Sequence, residues 1–88
     1  MNQDSLSLLK EDLKKKAPII GLNTALKSVK NGKATRIYVS KNCPDKVKED
    51  LKRYTSLFKT EYYELNINSE EVGTLCKKLF PIAVLSYE

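Results

Sequence analysis

The sequence predicts an α/β fold, a three-layer α/β/α sandwich built on a small, mainly parallel sheet. Apolar residues recur at helical spacing in four segments, and three β-branched or aromatic segments of strand length follow the second, third and fourth of them. Strands that alternate with helices in this way usually run parallel, because each helix returns the chain to the starting edge of the sheet. A length of 88 residues predicts one domain, residues 1–88.

The first two predicted helices lie in the N-terminal third of the chain. Residues 5–16 have apolar side chains near helical spacing, and Pro18 ends this helix because proline cannot continue it. Residues 23–30 repeat the pattern on one face. Asn31-Gly32 ends the second helix, since glycine readily adopts the backbone conformation that follows a helix.

The next elements alternate between strand and helix. Residues 35–39 are β-branched and aromatic enough to form a strand. A third helix is predicted to begin at Pro44, with an apolar face made of Val47, Leu51, Tyr54 and Phe58. Short strands are predicted at residues 62–65 and, at the end of the chain, at residues 82–87.

A fourth helix is predicted between the last two strands. Asn68-Ser69-Glu70-Glu71 resembles a capping box at its start. The side chains expected to be buried by this helix are Val72, Leu75, Cys76 and Leu79. Gly73 lies inside it, where glycine costs roughly 1 kcal/mol relative to alanine. We therefore predict that Gly73 permits close packing against the sheet or the second helix.

The positive charge of the chain is concentrated in one segment. The net charge is +5, and no Asp or Glu occurs between Leu13 and Pro44. The basic residues of that segment are Lys14, Lys15, Lys16, Lys27, Lys30, Lys33, Arg36 and Lys41. Such a segment suits a polyanion such as RNA. Charge alone leaves open a solvated lysine-rich surface, which is common in proteins from hot environments.

Several classes of function have no residues to support them. The chain has no His, no Gly-rich phosphate loop and only two cysteines, Cys43 and Cys76, so we predict no enzyme, zinc site, cofactor or disulfide framework. A redox role for Cys43 would require a helix N-terminus to lower its pKa. The sequence has no apolar run near the roughly 20 residues that span a bilayer, and no secretory signal pattern at its N-terminus. We expect a cytoplasmic protein without a membrane partner.

The first of three candidate binding loops, Gly21 to Thr24, opens the second helix. The backbone N–H groups and positive end of a helix suit a phosphate or a base edge. Asn23, Lys27 and Lys30 follow at i, i+4 and i+7 on the polar face. The alternative is that Asn23 only caps the helix, beside solvated lysines.

The second loop, Ser40 to Pro44, leaves the predicted carboxyl end of a strand, which is where open α/β sheets bind ligands. It contains Lys41 and Asn42, and the Asn42 amide offers both a donor and an acceptor to a base edge. The alternative is that Asn42 is a turn or cap residue.

The third loop, Phe80 to Ala83, is apolar and could stack on an unpaired base, because RNA recognition favours unstacked nucleotides. The alternative is that Phe80 closes the core.

In order and spacing, five segments resemble one known family. Residues 21–27, 31–34, 40–44, 71–76 and 79–80 are similar to the L-thirty-e ribosomal proteins of archaea and eukaryotes. These belong to a kink-turn-binding superfamily that also includes L-seven-Ae. The resemblance implies a three-layer α/β/α domain that binds sharply bent internal RNA loops containing tandem sheared G·A pairs.

The resemblance also implies which residues contact RNA. The family's contacts correspond to Gly21, Asn23, Lys27, Asn42, Phe80, Ile82 and Ala83. The neighbouring residues Thr24, Lys30 and Lys41 complete the predicted site. This chain has Asn23 where the family commonly has lysine, and Pro81 where the family has a basic residue.

The expected function is recognition of a kink-turn in ribosomal RNA within the large ribosomal subunit, with other ribosomal proteins as neighbours and a monomer outside that complex. Two alternatives stay open. One is a kink-turn-binding subunit of another ribonucleoprotein. The other is a protein-interaction module of the same fold, whose contacts could come from Tyr54, Tyr62, Tyr63 and Tyr87.

A further set of basic residues is expected to position RNA through its phosphates without reading bases. These are Lys33, Arg36 and Lys14–Lys16.

Overall fold

The computed structural model describes residues 5–88. Along this part of the chain the elements are α1 (Ser5–Lys15), β1 (Ile19–Ile20), α2 (Leu22–Lys30), β2 (Arg36–Val39), α3 (Asp45–Leu57), β3 (Glu61–Glu64), α4 (Ser69–Leu75) and β4 (Val84–Tyr87). The predicted helices are confirmed, and the observed starts of α1, α2 and α3 lie within one residue of the predicted ones. None of the helices described is long and apolar enough to cross a membrane.

The helices form two layers, one on each face of the sheet. Side chains alternate between the faces of a strand. Tyr38 and Leu85 therefore point to a cluster that contains Leu9 of α1 and Val72 of α4. The opposite cluster, from α2, α3 and the other face of the strands, is made of Ala25, Val29, Ala34, Ile37, Val39, Cys43, Leu51 and Val84. The predicted α/β/α sandwich is confirmed.

The sheet is mixed rather than mainly parallel, which corrects the prediction. Its strand order is β1-β4-β2-β3. β2 is parallel to β3, with Arg36 opposite Glu61, whereas β4 is antiparallel to both β2 and β1.

The direction of β4 follows from the short path of the chain around α4. The backbone N–H of Ile82 donates to the carbonyl of Ser69 at 2.9 Å, so the segment after α4 returns to the point where that helix begins. β4 therefore starts opposite Val39, at the carboxyl end of β2, and runs back along it. A parallel strand would require the connection to cross the full length of the sheet.

The strand β1 was missed by the sequence prediction. Its two residues, Ile19 and Ile20, pair with Ser86 and Leu85. A two-residue strand between a proline and a glycine is too short to show a periodicity. Its importance is positional, because it places the start of α2 beside β4.

The fourth helix is shorter than its apolar pattern predicts. The predicted cap is confirmed, since the Asn68 side chain accepts a hydrogen bond from the Glu71 N–H at 3.0 Å. The helix ends at Leu75, and Lys77 has a positive φ of 60°, which turns the chain out of helical register. Leu79 is therefore fully exposed rather than buried, which corrects the prediction.

Gly73 is buried at a close contact, although not the one expected. A methyl group at Gly73 would overlap the carbonyl oxygen of Phe80 and lie 3.4 Å from the Cα atom of Pro81. Close packing of α4 is thus confirmed, but the partner is the backbone of the third loop rather than the sheet or α2.

Candidate nucleic-acid interface

The three candidate loops meet at the edge of the sheet where β2 and β3 end. The N–H of Gly21 donates to the carbonyl of Val84 at 3.0 Å, and the N–H of Ser40 donates to the carbonyl of Ala83 at 2.8 Å. The start of β4 therefore holds the other two loops on either side of it. We call this surface, residues 21–24, 40–44 and 80–83, the loop edge.

Gly21 sets the entry into α2. It is the N-terminal cap of the helix, with φ 112° and ψ 146°, a backbone conformation that residues with a Cβ atom rarely adopt. Glycine has no side chain that could cap the helix. The first helical hydrogen bond is donated by the N–H of Ala25 to the Gly21 carbonyl. The N–H groups of the first turn have no partner within the helix, which leaves them available to an anion or a base edge.

Asn23 is not the cap of α2, since that position belongs to Gly21. Asn23 and Thr24 lie in the first turn and are exposed, and no side-chain hydrogen bond of Asn23 occurs among those described for residues 5–88. Lys27 is exposed on the following turn. The capping alternative for Asn23 is therefore not what the structure shows.

Lys30 lies away from the loop edge, which corrects its place in the predicted site. It is the last residue of α2, a helix of nine residues and hence about 13 Å long. Its Nζ atom lies 4.8 Å from the centroid of the Tyr54 ring on α3, within cation–π distance.

Asn42 connects the second loop to the start of α4. Its Oδ1 atom accepts hydrogen bonds from the Ser69 N–H at 2.8 Å and the Ser40 hydroxyl at 3.0 Å, and its Nδ2 atom donates to the Ser69 hydroxyl at 3.2 Å. An amide nitrogen has two hydrogens, so this network uses one and leaves the other for a ligand. The Lys41 side chain beside it is exposed.

The third loop combines exposed and buried residues. Phe80 is 52% exposed, so it does not close the core as the alternative proposed. Ala83 is also exposed. Ile82 is only 2% exposed and packs in the cluster with Leu9 and Val72. Its side chain is therefore not available to RNA, and only its backbone could make the predicted contact.

Comparison with known proteins identifies the family. Residues 3–88 match the model of the "Ribosomal protein L7Ae/L30e/S12e/Gadd45 family". The chain belongs to this family. The resemblance inferred from five short segments is thereby confirmed.

Two relatives are named large ribosomal subunit protein eL30. That of Candida albicans is 34% identical over 86 residues, which cover 97% of this chain and 81% of that protein. That of Methanococcus vannielii is 36% identical over 67 residues, which cover 76% of this chain and 64% of that protein. The match thus spans less than two thirds of the archaeal relative. These relatives are ribosomal proteins and not enzymes, as expected for this chain.

Solved structures share the fold. A Giardia lamblia 15.5kD RNA binding protein has a TM-score of 0.75 and 24% identity, and the match covers 98% of this chain and 76% of that one. A Bacillus halodurans protein of unknown function has a TM-score of 0.76 and 20% identity, with 92% and 80% covered.

Arg36, which was expected to position RNA through phosphates, is bound to a carboxylate within the fold. Its Nη1 atom donates to both carboxylate oxygens of Asp12 at 2.8 Å, and the Tyr38 hydroxyl donates to Asp12 Oδ2 at 2.7 Å. Burial by itself would raise the pKa of Asp12, but these hydrogen bonds outweigh it and lower the pKa. Arg36 therefore fastens α1 to the sheet, and Lys16 is likewise engaged, donating to the Glu88 carbonyl at 2.7 Å.

Cys43 is buried, and this burial raises the pKa of its thiol, in the direction opposite to that required for a redox role. Within residues 5–88, no group of three His, Cys, Asp or Glu side chains is placed to hold a metal ion.

The tyrosines considered for a protein interface are mostly committed to packing. Tyr87 is 4% exposed, and its ring meets that of Tyr38 edge-on at 6.1 Å. Tyr63 stacks on Tyr38, with the two ring centroids 5.4 Å apart. Tyr62 and Tyr54 are half-buried against the α2–α3 cluster.

Proposed function

We propose that this chain binds RNA as a component of the large ribosomal subunit and recognises a kink-turn through the loop edge. The observation that best supports this proposal is the pair of backbone hydrogen bonds from Gly21 to Val84 and from Ser40 to Ala83, which join three loops beside the N-terminus of α2. The eL30 names of its relatives support the ribosomal assignment.

The chemistry of the loop edge suits a bent RNA better than a straight duplex. A sheared G·A pair displays base edges that an amide can meet with a donor and an acceptor, and Asn23 presents such an amide to solvent. The N–H groups at the start of α2 and the ammonium group of Lys27 suit phosphates. Phe80, half exposed, offers a surface for an unstacked base.

The surroundings of the protein follow from the same proposal. As a ribosomal protein it would act in the cytoplasm, with ribosomal RNA and neighbouring ribosomal proteins as partners. We propose that residues 1–88 form one RNA-binding domain that is monomeric outside that complex.

A gel-shift titration tests the proposal directly. One labelled RNA contains a kink-turn, and the control is a straight duplex of the same length and nearly the same composition. We expect at least about tenfold tighter binding of the kink-turn RNA at moderate salt, a difference of about 1.4 kcal/mol in binding free energy. Equal affinity for the two RNAs would overturn kink-turn recognition, and no binding to either would overturn RNA binding.

A further inference from the structure

We propose a second RNA-binding surface at the opposite edge of the sheet, where α2 and α3 end. There Phe58 would stack on a base of single-stranded RNA, and Lys33 and Lys59 would contact the neighbouring phosphates. We call residues 30–35 and 54–60 the far edge. This proposal concerns residues outside the loop edge and does not rest on kink-turn recognition.

The far edge is held together by contacts between two segments distant in sequence. The Thr60 hydroxyl donates to the Ala34 carbonyl at 3.4 Å, and the Glu61 N–H donates to the Thr35 carbonyl at 3.1 Å. The Lys30–Tyr54 cation–π contact joins the same two segments one turn earlier. The last turn of α3 is therefore fixed beside the loop that follows α2.

The two segments of this surface carry exposed positive charge. Neither segment contains Asp or Glu, and together they contain three basic residues, Lys30, Lys33 and Lys59. Lys33 and Lys59 are exposed, and neither takes part in the salt bridges found among residues 5–88. The acidic residues that adjoin these segments, Glu61 and Glu88, contact Arg36 and Ser28 respectively. A surface with exposed basic side chains attracts a polyanion.

Two large apolar side chains that directly precede Lys59 are exposed. Phe58 is 43% exposed and the preceding Leu57 is 69% exposed. The Phe58 backbone is fixed, because its N–H donates to the Tyr54 carbonyl at 3.0 Å at the end of α3. An aromatic ring on a rigid backbone, flanked by cations, is the combination that binds single-stranded nucleic acid, since every base has a face on which a ring can stack.

Lys59 occupies a backbone conformation that favours glycine. Its φ is 57°, in the left-handed region where a Cβ atom is unfavourable. A lysine at position 59 is therefore less favourable for folding than a glycine would be. It places a cation directly after Phe58. The same conformation makes Lys59→Gly a clean variant, because it removes the charge without destabilising the backbone.

The two edges are far enough apart to act independently. The loop edge adjoins Val39 and the far edge adjoins Arg36, at opposite ends of β2. Four strand residues span about 13 Å. One RNA segment at each edge would therefore leave the other edge accessible.

Fluorescence anisotropy with a labelled, unstructured oligouridine of about ten nucleotides tests the proposal on the full chain. We expect Phe58→Ala to weaken binding about fivefold or more and Phe58→Leu to weaken it nearly as much, because both remove the ring. Lys59→Gly should lower the slope of log K against log salt by about 0.7. Lys77→Gly is the matched control, since Lys77 also has a positive φ, 60°, but lies outside the far edge. It should leave both affinity and slope unchanged.

Several outcomes would overturn this second surface. These are no binding of the oligouridine by the unmodified chain, full affinity in Phe58→Leu, or equal weakening by Lys59→Gly and Lys77→Gly. If the far edge instead binds a protein, we expect the substitution of Leu57, the more exposed apolar side chain, to weaken that binding most. Oligouridine binding that falls more in Leu57→Ala than in Phe58→Ala would therefore also count against stacking. Thermal melting of each variant verifies that it is folded.

Discussion

At the scale of single residues, Asn23 and Asn42 have different surroundings on the same surface. Asn23 is exposed in the first turn of α2, whereas the Asn42 amide is engaged with Ser40 and Ser69. From the sequence both were predicted to read bases, with a capping role as the alternative. Only the tertiary contacts distinguish them, because Ser69 is distant in sequence from Asn42.

This difference leads to a paired prediction. Asn23→Ala should weaken kink-turn binding by about 1 to 3 kcal/mol and leave the melting temperature unchanged. Asn42→Ala should weaken kink-turn binding and also lower the melting temperature, since each lost hydrogen bond costs about 1 kcal/mol. Affinity and melting are measured on the same preparations, with a straight duplex as the control RNA. If either variant kept its full preference for the kink-turn, that asparagine would have no role in reading it.

The Asp12 carboxylate gives a prediction about pH. Its pKa is lowered in the folded protein, because the hydrogen bonds from Tyr38 and Arg36 outweigh the opposing effect of burial. Its contribution to stability is therefore present above the pKa of an unfolded aspartate, about 4. It is lost as the pH falls through the lower pKa of the folded state.

Urea unfolding between pH 7 and pH values below about 3 checks this. Asp12→Asn should cost about 1.5 to 3 kcal/mol at neutral pH and should reduce the loss of stability in acid. Asp50→Asn is the control, because its ion pair with Arg53 is exposed and such pairs contribute little. A wild-type acid profile in Asp12→Asn would contradict the assignment.

At the scale of the elements, α4 and the third loop behave as one unit. Asn68 caps the helix, Ile82 bonds back to Ser69, and Gly73 lies against the Phe80 backbone. The unit therefore fixes both the direction of β4 and the position of Phe80 at the loop edge. A change inside α4 should reach the RNA surface through this contact.

Gly73→Ala tests that coupling. The added methyl group would overlap the Phe80 carbonyl oxygen, and backbone must move to accommodate it, so we expect a loss of stability of more than about 1 kcal/mol and weaker kink-turn binding. Gly32→Ala is the control, since it introduces a strained φ of 72° at a position with open space around it. It should cost about 1 kcal/mol without affecting kink-turn binding at the loop edge. Unchanged melting of Gly73→Ala combined with lost binding would instead place Gly73 in the site itself.

Periodicity and capping predicted the elements well, because they depend on contacts a few residues apart. The apolar faces of α2 and α3 are visible in the sequence, except that Phe58, predicted on the face of α3, lies after the end of the helix and is 43% exposed. The reversed direction of β4, the short strand β1 and the exposed position of Leu79 depend instead on where the chain goes after each element ends. A single left-handed residue, Lys77, was enough to remove Leu79 from the helix face.

At the scale of the whole molecule, the basic segment is divided among different tasks. Arg36 and Lys16 are used to hold the fold, and Lys30 lies over Tyr54. Lys27 remains exposed at the loop edge side of α2, and Lys33 remains exposed at the far edge. A charge count along the sequence could not separate these roles, because it does not show which basic residues have acidic or aromatic partners in the folded chain.

The salt dependence of RNA binding shows which of these basic residues contact phosphates. Each phosphate neutralised contributes about 0.7 to 0.9 to the slope of log K against log salt. We expect a steep slope for kink-turn RNA, lowered by about 0.9 in Lys27→Ala and unchanged in Lys59→Gly, because Lys59 lies at the far edge. Lys33→Ala should likewise leave the kink-turn slope unchanged, because Lys33 lies at the far edge with Lys59. A slope near zero for the unmodified chain would point to a protein partner. If Lys27→Ala and Lys59→Gly reduced the kink-turn slope equally, the two edges would bind one continuous RNA rather than act separately.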